Sequence, residues 1–79
     1  MNVTYRIDKD IIYIAVEGRI DASNAAEAEE KIFSIKNDNP GKHTVVDADK
    51  LEYISSAGLR VILRLRKEEP KLAIINVAS

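Results

Sequence analysis

The sequence predicts a small α/β domain: a single mixed β-sheet in the order β-β-α-β-α-β, with the helices packed on one face. Three observations predict it. Apolar residues alternate at period two near the N-terminus, the spacing switches twice to a helical period further on, and each helical stretch is followed by a short β-rich run. A chain of 79 residues holds one domain, so the whole of 1–79 is read as a single unit.

The first strand is read from Val3, Tyr5 and Ile7, which alternate with Thr4 and Arg6. Asp8-Lys9-Asp10 is a polar break suited to a turn, and Ile12, Ile14 and Val16 then alternate with Tyr13, Ala15 and Glu17. The two strands read as an antiparallel hairpin, closed off by Gly18. Asp21-Ala22-Ser23-Asn24 supplies side chains that cap helices, and Asp21 is read as a cap for a helix beginning near Ser23.

That helix is expected over about 24–36, with Ala25, Ala28, Ile32 and Ile35 as its apolar stripe. Its acids lie early and its lysines late, as the helix dipole favours. Asn37-Asp38-Asn39-Pro40-Gly41-Lys42 reads as a loop, and 44–48 as a short buried strand. A second helix runs over 56–68 until Pro70 stops it, and 71–77 is the last strand. The last two strands are each reached through a helix, so they are expected to be parallel neighbours or near neighbours.

Composition narrows the function classes. Twelve basic residues face thirteen acidic ones, a net charge of -1, which gives no reason to expect nucleic acid or an anionic membrane as the main partner. There is no cysteine, so disulfides and thiolate metal sites are excluded. The N-terminus lacks the layout of a signal peptide, and no apolar run approaches the ~20 residues that span a bilayer. A cytoplasmic protein without direct membrane insertion is the expectation.

The segment Tyr53-Ile54-Ser55-Ser56-Ala57-Gly58-Leu59-Arg60-Val61-Ile62-Leu63 places two hydroxyls just ahead of a helix. The first backbone N–H groups of a helix have no internal partner and carry partial positive charge. A serine there can cap the helix, or can carry a phosphate that the same groups stabilise. With Ser55 as cap, Ser56 becomes the first helical residue, free to face solvent. Arg60, four residues on, is disfavoured by the dipole but within reach of a group on Ser56. Gly58 lets the first turn approach the sheet closely. The residues alone leave cap and phosphate acceptor both open. Leu59 and Leu63 fall off the main stripe of 58, 61, 62 and 65, and read either as core or as an exposed strip for a partner.

Other chemistry is thinner. Asp47-Ala48-Asp49 is a short D-x-D at a strand end, read as loop capping in preference to a magnesium site or a nucleophile, since no further ligand cluster follows. Asp21 is expected near Ser56, because both follow strands ending on the same edge of the sheet. His43, the one histidine, belongs at the opposite edge, which argues against a Ser-His-Asp triad. A phosphatase or hydrolase using Asp47 or Ser55 is the weakest reading. No catalytic residue, metal site or cofactor is expected, and the protein is not read as an enzyme.

The serine-glycine-leucine segment resembles the signature of the STAS domain superfamily, in particular its bacterial anti-sigma factor antagonists. Val16-Glu17-Gly18-Arg19-Ile20-Asp21-Ala22, the strand and loop Val45-Val46-Asp47-Ala48-Asp49-Lys50-Leu51, and Leu72-Ala73-Ile74-Ile75-Asn76-Val77 resemble the family's other segments, in the right order. The resemblance implies a phosphorylated serine two residues before the glycine, here Ser56. Many members carry Asp where this chain has Ser55, and Ser or Thr where it has Ala57. The implied partner surface is Asp21, Ser55, Ser56, Gly58, Leu59 and Arg60. The implied partner is an anti-sigma factor with serine kinase activity, whose capture frees a sigma factor. STAS domains also serve as accessory modules of membrane transporters, the alternative reading. Family domains usually continue into a further helix, so a C-terminally truncated domain is expected, with an exposed apolar patch at Ile74, Ile75 and Val77 that would serve a homodimer.

Overall fold

The computed structural model describes residues 1–77. Two strands, β1 (Asn2–Asp8) and β2 (Ile11–Ile20), form the expected antiparallel hairpin, with Tyr5 opposite Ile14 and Val3 opposite Val16. Lys9 turns the corner at φ 55, a left-handed conformation. Helix α1 (Ala25–Asp38) and strand β3 (His43–Asp47) follow. β3 pairs with β2 in parallel, with Ile12 opposite Thr44 and Ile14 opposite Val46.

A strand absent from the sequence reading comes next, β4 (Leu51–Ile54). It pairs in parallel with the last residues of β2, along the same edge that β3 occupies earlier in that strand. The changeover is made at Gly18, whose φ of 85 and shifted register mark a bulge, and whose N–H donates to the Lys50 carbonyl at 2.9 Å. Helix α2 (Ser56–Glu68) then leads to β5 (Ala73–Ile75), shorter than the expected 71–77 and parallel to β3. The path β1-β2-β3-β5, with β4 beside β2, gives a five-stranded sheet where four strands were expected.

Both helices lie on one face. Ile12, Ile14, Val16 and Ile20 of β2 form a single buried cluster with Ala25, Ala28 and Ile32 of α1 and Val61 and Leu65 of α2. Each fully buried aliphatic side chain contributes roughly 1.5–3 kcal/mol, so the even-numbered residues of β2 form the centre of the fold. The alternation read from the sequence is the one observed: Ile11, Tyr13 and Ala15 are only half-buried on the other side. The α1 stripe is also as expected except for Ile35, which is only half-buried. Thr44 intrudes into this apolar layer. Its N–H donates to the Glu69 carboxylate at 3.1 Å, but its hydroxyl is buried without a hydrogen-bond partner.

Leu59 and Leu63 are 50% and 64% exposed, which decides between the two readings of those residues in favour of a surface strip. Ile74, Ile75 and Val77 are exposed as expected. Ala78 and Ser79, with which the expectation of a shortened C-terminus is concerned, lie outside the described residues. Among the described residues no helix is long and apolar enough to cross a membrane.

Candidate functional site

The site forms where two parallel strands release the chain side by side. β2 ends at Ile20 and β4 at Ile54, and these residues are register partners. The N–H of Ser55 donates to the Ile20 carbonyl at 2.8 Å, extending the pairing one residue beyond β4. Asp21 and Ser55-Ser56 therefore leave the same edge from adjacent strands. His43 starts β3 at the other end of the sheet, as expected.

Ser55 is the helix cap. It sits in extended backbone (φ -82, ψ 174), and its Oγ accepts from the Gly58 N–H at 3.3 Å. The Ser55 carbonyl accepts the first intrahelical bond, from Leu59 at 2.9 Å. With its neighbour committed to capping, Ser56 opens the helix and is exposed, and no hydrogen bond holds its hydroxyl among the described residues. The first turn of α2 contains no acidic residue. The charge on this helix start comes from the backbone and Arg60, both favourable to an incoming anion.

Gly58 is buried beneath that turn. A Cβ on it would lie 2.6 Å from Cγ1 of Ile54 and 2.8 Å from Cγ2 of Ile20. The glycine thus sets how closely the helix start approaches the sheet, and Leu59 and Arg60 on the next two positions are exposed.

Asp21 forms its own turn rather than a cap for α1. Its Oδ1 accepts from the N–H of Ser23 at 2.9 Å and from the Ser23 hydroxyl. The N-terminal cap position of α1 belongs to Asn24, whose side chain makes no capping bond but instead accepts from the Asp21 N–H at 3.0 Å and donates to the Arg19 carbonyl. The hydroxyl of Ser23, with its N–H, holds the Asp21 carboxyl below its ordinary range. A fixed anion therefore lies on the loop that leaves the sheet edge next to the serine pair.

Two further residues at this edge are absent from the sequence-based set. Arg19 and Tyr53 are register partners on β2 and β4, and the Arg19 guanidinium lies 4.4 Å from the Tyr53 ring centroid. The signal was there, since each precedes its site residue by two positions, but it is readable only once β4 is known. Asp47 behaves as loop capping predicts: Oδ1 accepts from the Asp49 N–H at 3.0 Å and the Asn76 amide at 2.9 Å. Among the described residues no group of three or more His, Asp or Glu side chains is placed to hold a metal ion.

Fold and site together define a small mixed-sheet α/β domain that presents an exposed serine at a helix start, next to a loop that carries a fixed carboxylate. A profile of the STAS domain family matches residues 2–76. The chain belongs to the STAS domain family. It is 33% identical over 58 residues to BtrV of Bordetella bronchiseptica, provisionally named an anti-sigma factor antagonist; the match covers 73% of this chain and 49% of the relative. The chain thus spans about half the length of that curated relative. Its fold is shared with an anti-sigma factor antagonist from Mycobacterium paratuberculosis, at a TM-score of 0.81 and 21% identity, covering 92% of this chain and 64% of the other. It is shared too with the anti-sigma factor antagonist SpoIIAA in its unphosphorylated form, at 0.73 and 16%, covering 99% and 76%.

Proposed function

We propose that this domain is an anti-sigma factor antagonist whose binding is switched by phosphorylation of Ser56. The observation that carries this reading is the division of labour at the start of α2: Ser55 caps the helix, which leaves the Ser56 hydroxyl exposed and free to react. The domain is a kinase substrate and a binding module, not an enzyme. An anti-sigma factor with serine kinase activity docks on Asp21, Ser55, Ser56, Leu59 and Arg60, with Gly58 setting the height of the helix, and a sigma factor is released. Because the partner acts on transcription, the binding takes place in the cytoplasm.

Transfer of the γ-phosphoryl group of ATP to Ser56 Oγ breaks the bond to the ADP leaving group and releases the hydroxyl proton. The product carries close to two negative charges inside the interface, and binding fails by repulsion and desolvation. The names of the similar proteins support this reading, one of them being described in an unphosphorylated form. The apolar rim of Ile74, Ile75 and Val77 offers a separate surface for a homodimer.

The test is incubation with the cognate kinase and ATP, followed by mass spectrometry. A single phosphate on Ser56 is expected, and no phosphate, or one elsewhere, overturns the reading. Ser56→Ala should keep the partner and Ser56→Asp should lose it.

A further inference from the structure

The exposed side of α2 continues well past Ser56. At 100° per residue, Ser56 and Leu63 lie on one line along the helix, with Arg60 and Lys67 on one flank and Leu59 and Arg66 on the other. All six are exposed, while Gly58, Val61 and Leu65 point the opposite way into the core. From Ser56 to Lys67 the strip is about 16 Å long at 1.5 Å per residue. It holds three cations, with a fourth, Arg64, on its margin, and no carboxylate, in a chain whose net charge is -1. Only Arg64 is engaged, with Glu29 of α1; Arg60, Arg66 and Lys67 have no carboxylate within ion-pair distance among the described residues.

Two exposed leucines cost solvation that a monomer does not recover, and three unpaired cations concentrate positive charge around them. The pattern is that of a helix face that enters an apolar groove with a charged rim. We infer that the partner's surface is an apolar groove that seats Leu59 and Leu63, flanked by Asp and Glu carboxylates facing Arg60, Arg66 and Lys67. This rests on the reading of Ser56 as the switch and specifies the chemistry of the partner at that site. It also explains the direction of the switch. A phosphate on Ser56 sits in line with Leu63 and beside Arg60, so it neutralises the cations that recruit the partner and meets the partner's own carboxylates.

The experiment is a titration of the cognate anti-sigma factor with the wild-type domain and with Leu63→Ala, Arg66→Glu and Lys67→Glu, whose side chains are exposed and outside the core. Leu63→Ala should weaken binding about tenfold or more, as centrally placed apolar anchors do. Each charge reversal should weaken it about fivefold or more at low salt, with the loss shrinking at high ionic strength. If the wild type binds and the three variants bind equally well, the inference falls while the Ser56 reading stands.

If the wild type does not bind that factor, the Ser56 reading falls, and a second arm decides the inference: benzoylphenylalanine in place of Leu63, photo-crosslinked in living cells, with the adduct mapped by mass spectrometry. An adduct on a segment where carboxylates flank apolar residues supports the groove. No protein adduct, or a segment without carboxylates, overturns it. Phosphatidylserine vesicles that pellet the wild type but not Lys67→Glu would assign the strip to a lipid surface and overturn it as well.

Discussion

The backbone N–H of Ser55 donates to the carbonyl oxygen of Ile20 across 2.8 Å. This bond joins the ends of two parallel strands and fixes where α2 begins relative to the loop of Asp21. The side chains beneath it, Ile20 and Ile54, are those that Gly58 rests on. Backbone pairing and the missing Cβ therefore set the same geometry from two directions.

Gly58→Ala tests that close approach. A methyl placed 2.6 Å from Ile54 and 2.8 Å from Ile20 forces the first turn of α2 away from the sheet. Overpacking of this kind costs roughly 1–3 kcal/mol, and the gain in helix propensity returns at most about 1 kcal/mol. With two contacts under 3.0 Å the cost falls in the upper part of that range, so a net loss of about 1–2 kcal/mol is expected, read as a lower urea midpoint at unchanged slope. An alanine variant as stable as the wild type would show that the turn has room to spare.

The two serines separate by stability. Ser55→Ala removes the acceptor of the Gly58 N–H and should cost about 1 kcal/mol, as lost N-caps do. Ser56→Ala removes an exposed hydroxyl and should stay within about 0.5 kcal/mol of wild type. Thermal melts of both variants check this. A larger loss at position 56 than at 55 would reverse the assignment of cap and free hydroxyl.

Much of this arrangement is legible in the sequence, for identifiable reasons. The β2 alternation and the α2 stripe are strong periodic signals carried by Ile12, Ile14, Val16, Val61 and Leu65, and the structure buries all of them. The cap is legible because Ser55 precedes a helix with a clear apolar face. Strand β4 is not. Its Leu51 and Ile54 are half-buried while Glu52 and Tyr53 are exposed, a pattern without alternation in a run of four residues. What makes it a strand is the bulge at Gly18: that glycine reads as the end of β2, but the strand continues through it to Ile20 and offers its edge to 51–54, a pairing that only the long-range fold creates. The Arg19–Tyr53 pair stays hidden for the same reason.

Thr44 is expected to be a liability in the core. Its side chain is 1% exposed and its hydroxyl has no partner. An unpaired buried polar group costs about 1–3 kcal/mol, and valine keeps the branched shape without it. Thr44→Val should stabilise the domain by about 1 kcal/mol, a rise in melting temperature of about 4–8 °C for a domain of this size. The backbone bond from Thr44 to Glu69 is untouched by the change. A lower melting temperature would mean that the hydroxyl has a partner in solution.

Acid should weaken the fold through Asp47 and Asp21. The Asn76 amide, then the Asp49 N–H, holds the Asp47 carboxyl below its ordinary value of 3.8, and Ser23 does the same for Asp21. Because both are depressed in the folded state, the unfolded chain takes up protons first as pH falls. Their contribution is complete above 3.8, fades as pH drops through the folded values, and is gone below them. Both residues are half-buried at the surface, where solvent still screens their charge, so the effect is small in size and clear in direction. Asn76→Gly tests the cause, since glycine keeps the backbone at φ 59 while removing the amide. Carboxyl-detected NMR titration should show Asp47 moving up toward 3.8 with Asp21 unmoved. If Asp47 stays where it was, the Asn76 bond is not what holds it down. The same depressed carboxyl at Asp21 bears on the switch. That residue stays charged throughout the neutral range, so it adds no change of charge there, whereas a phosphate on Ser56 does, because its second proton leaves near pH 6. The partner's affinity for phosphorylated domain should therefore fall further between about pH 5.5 and 7, while its affinity for unphosphorylated domain owes no pH dependence to Asp21 in that window.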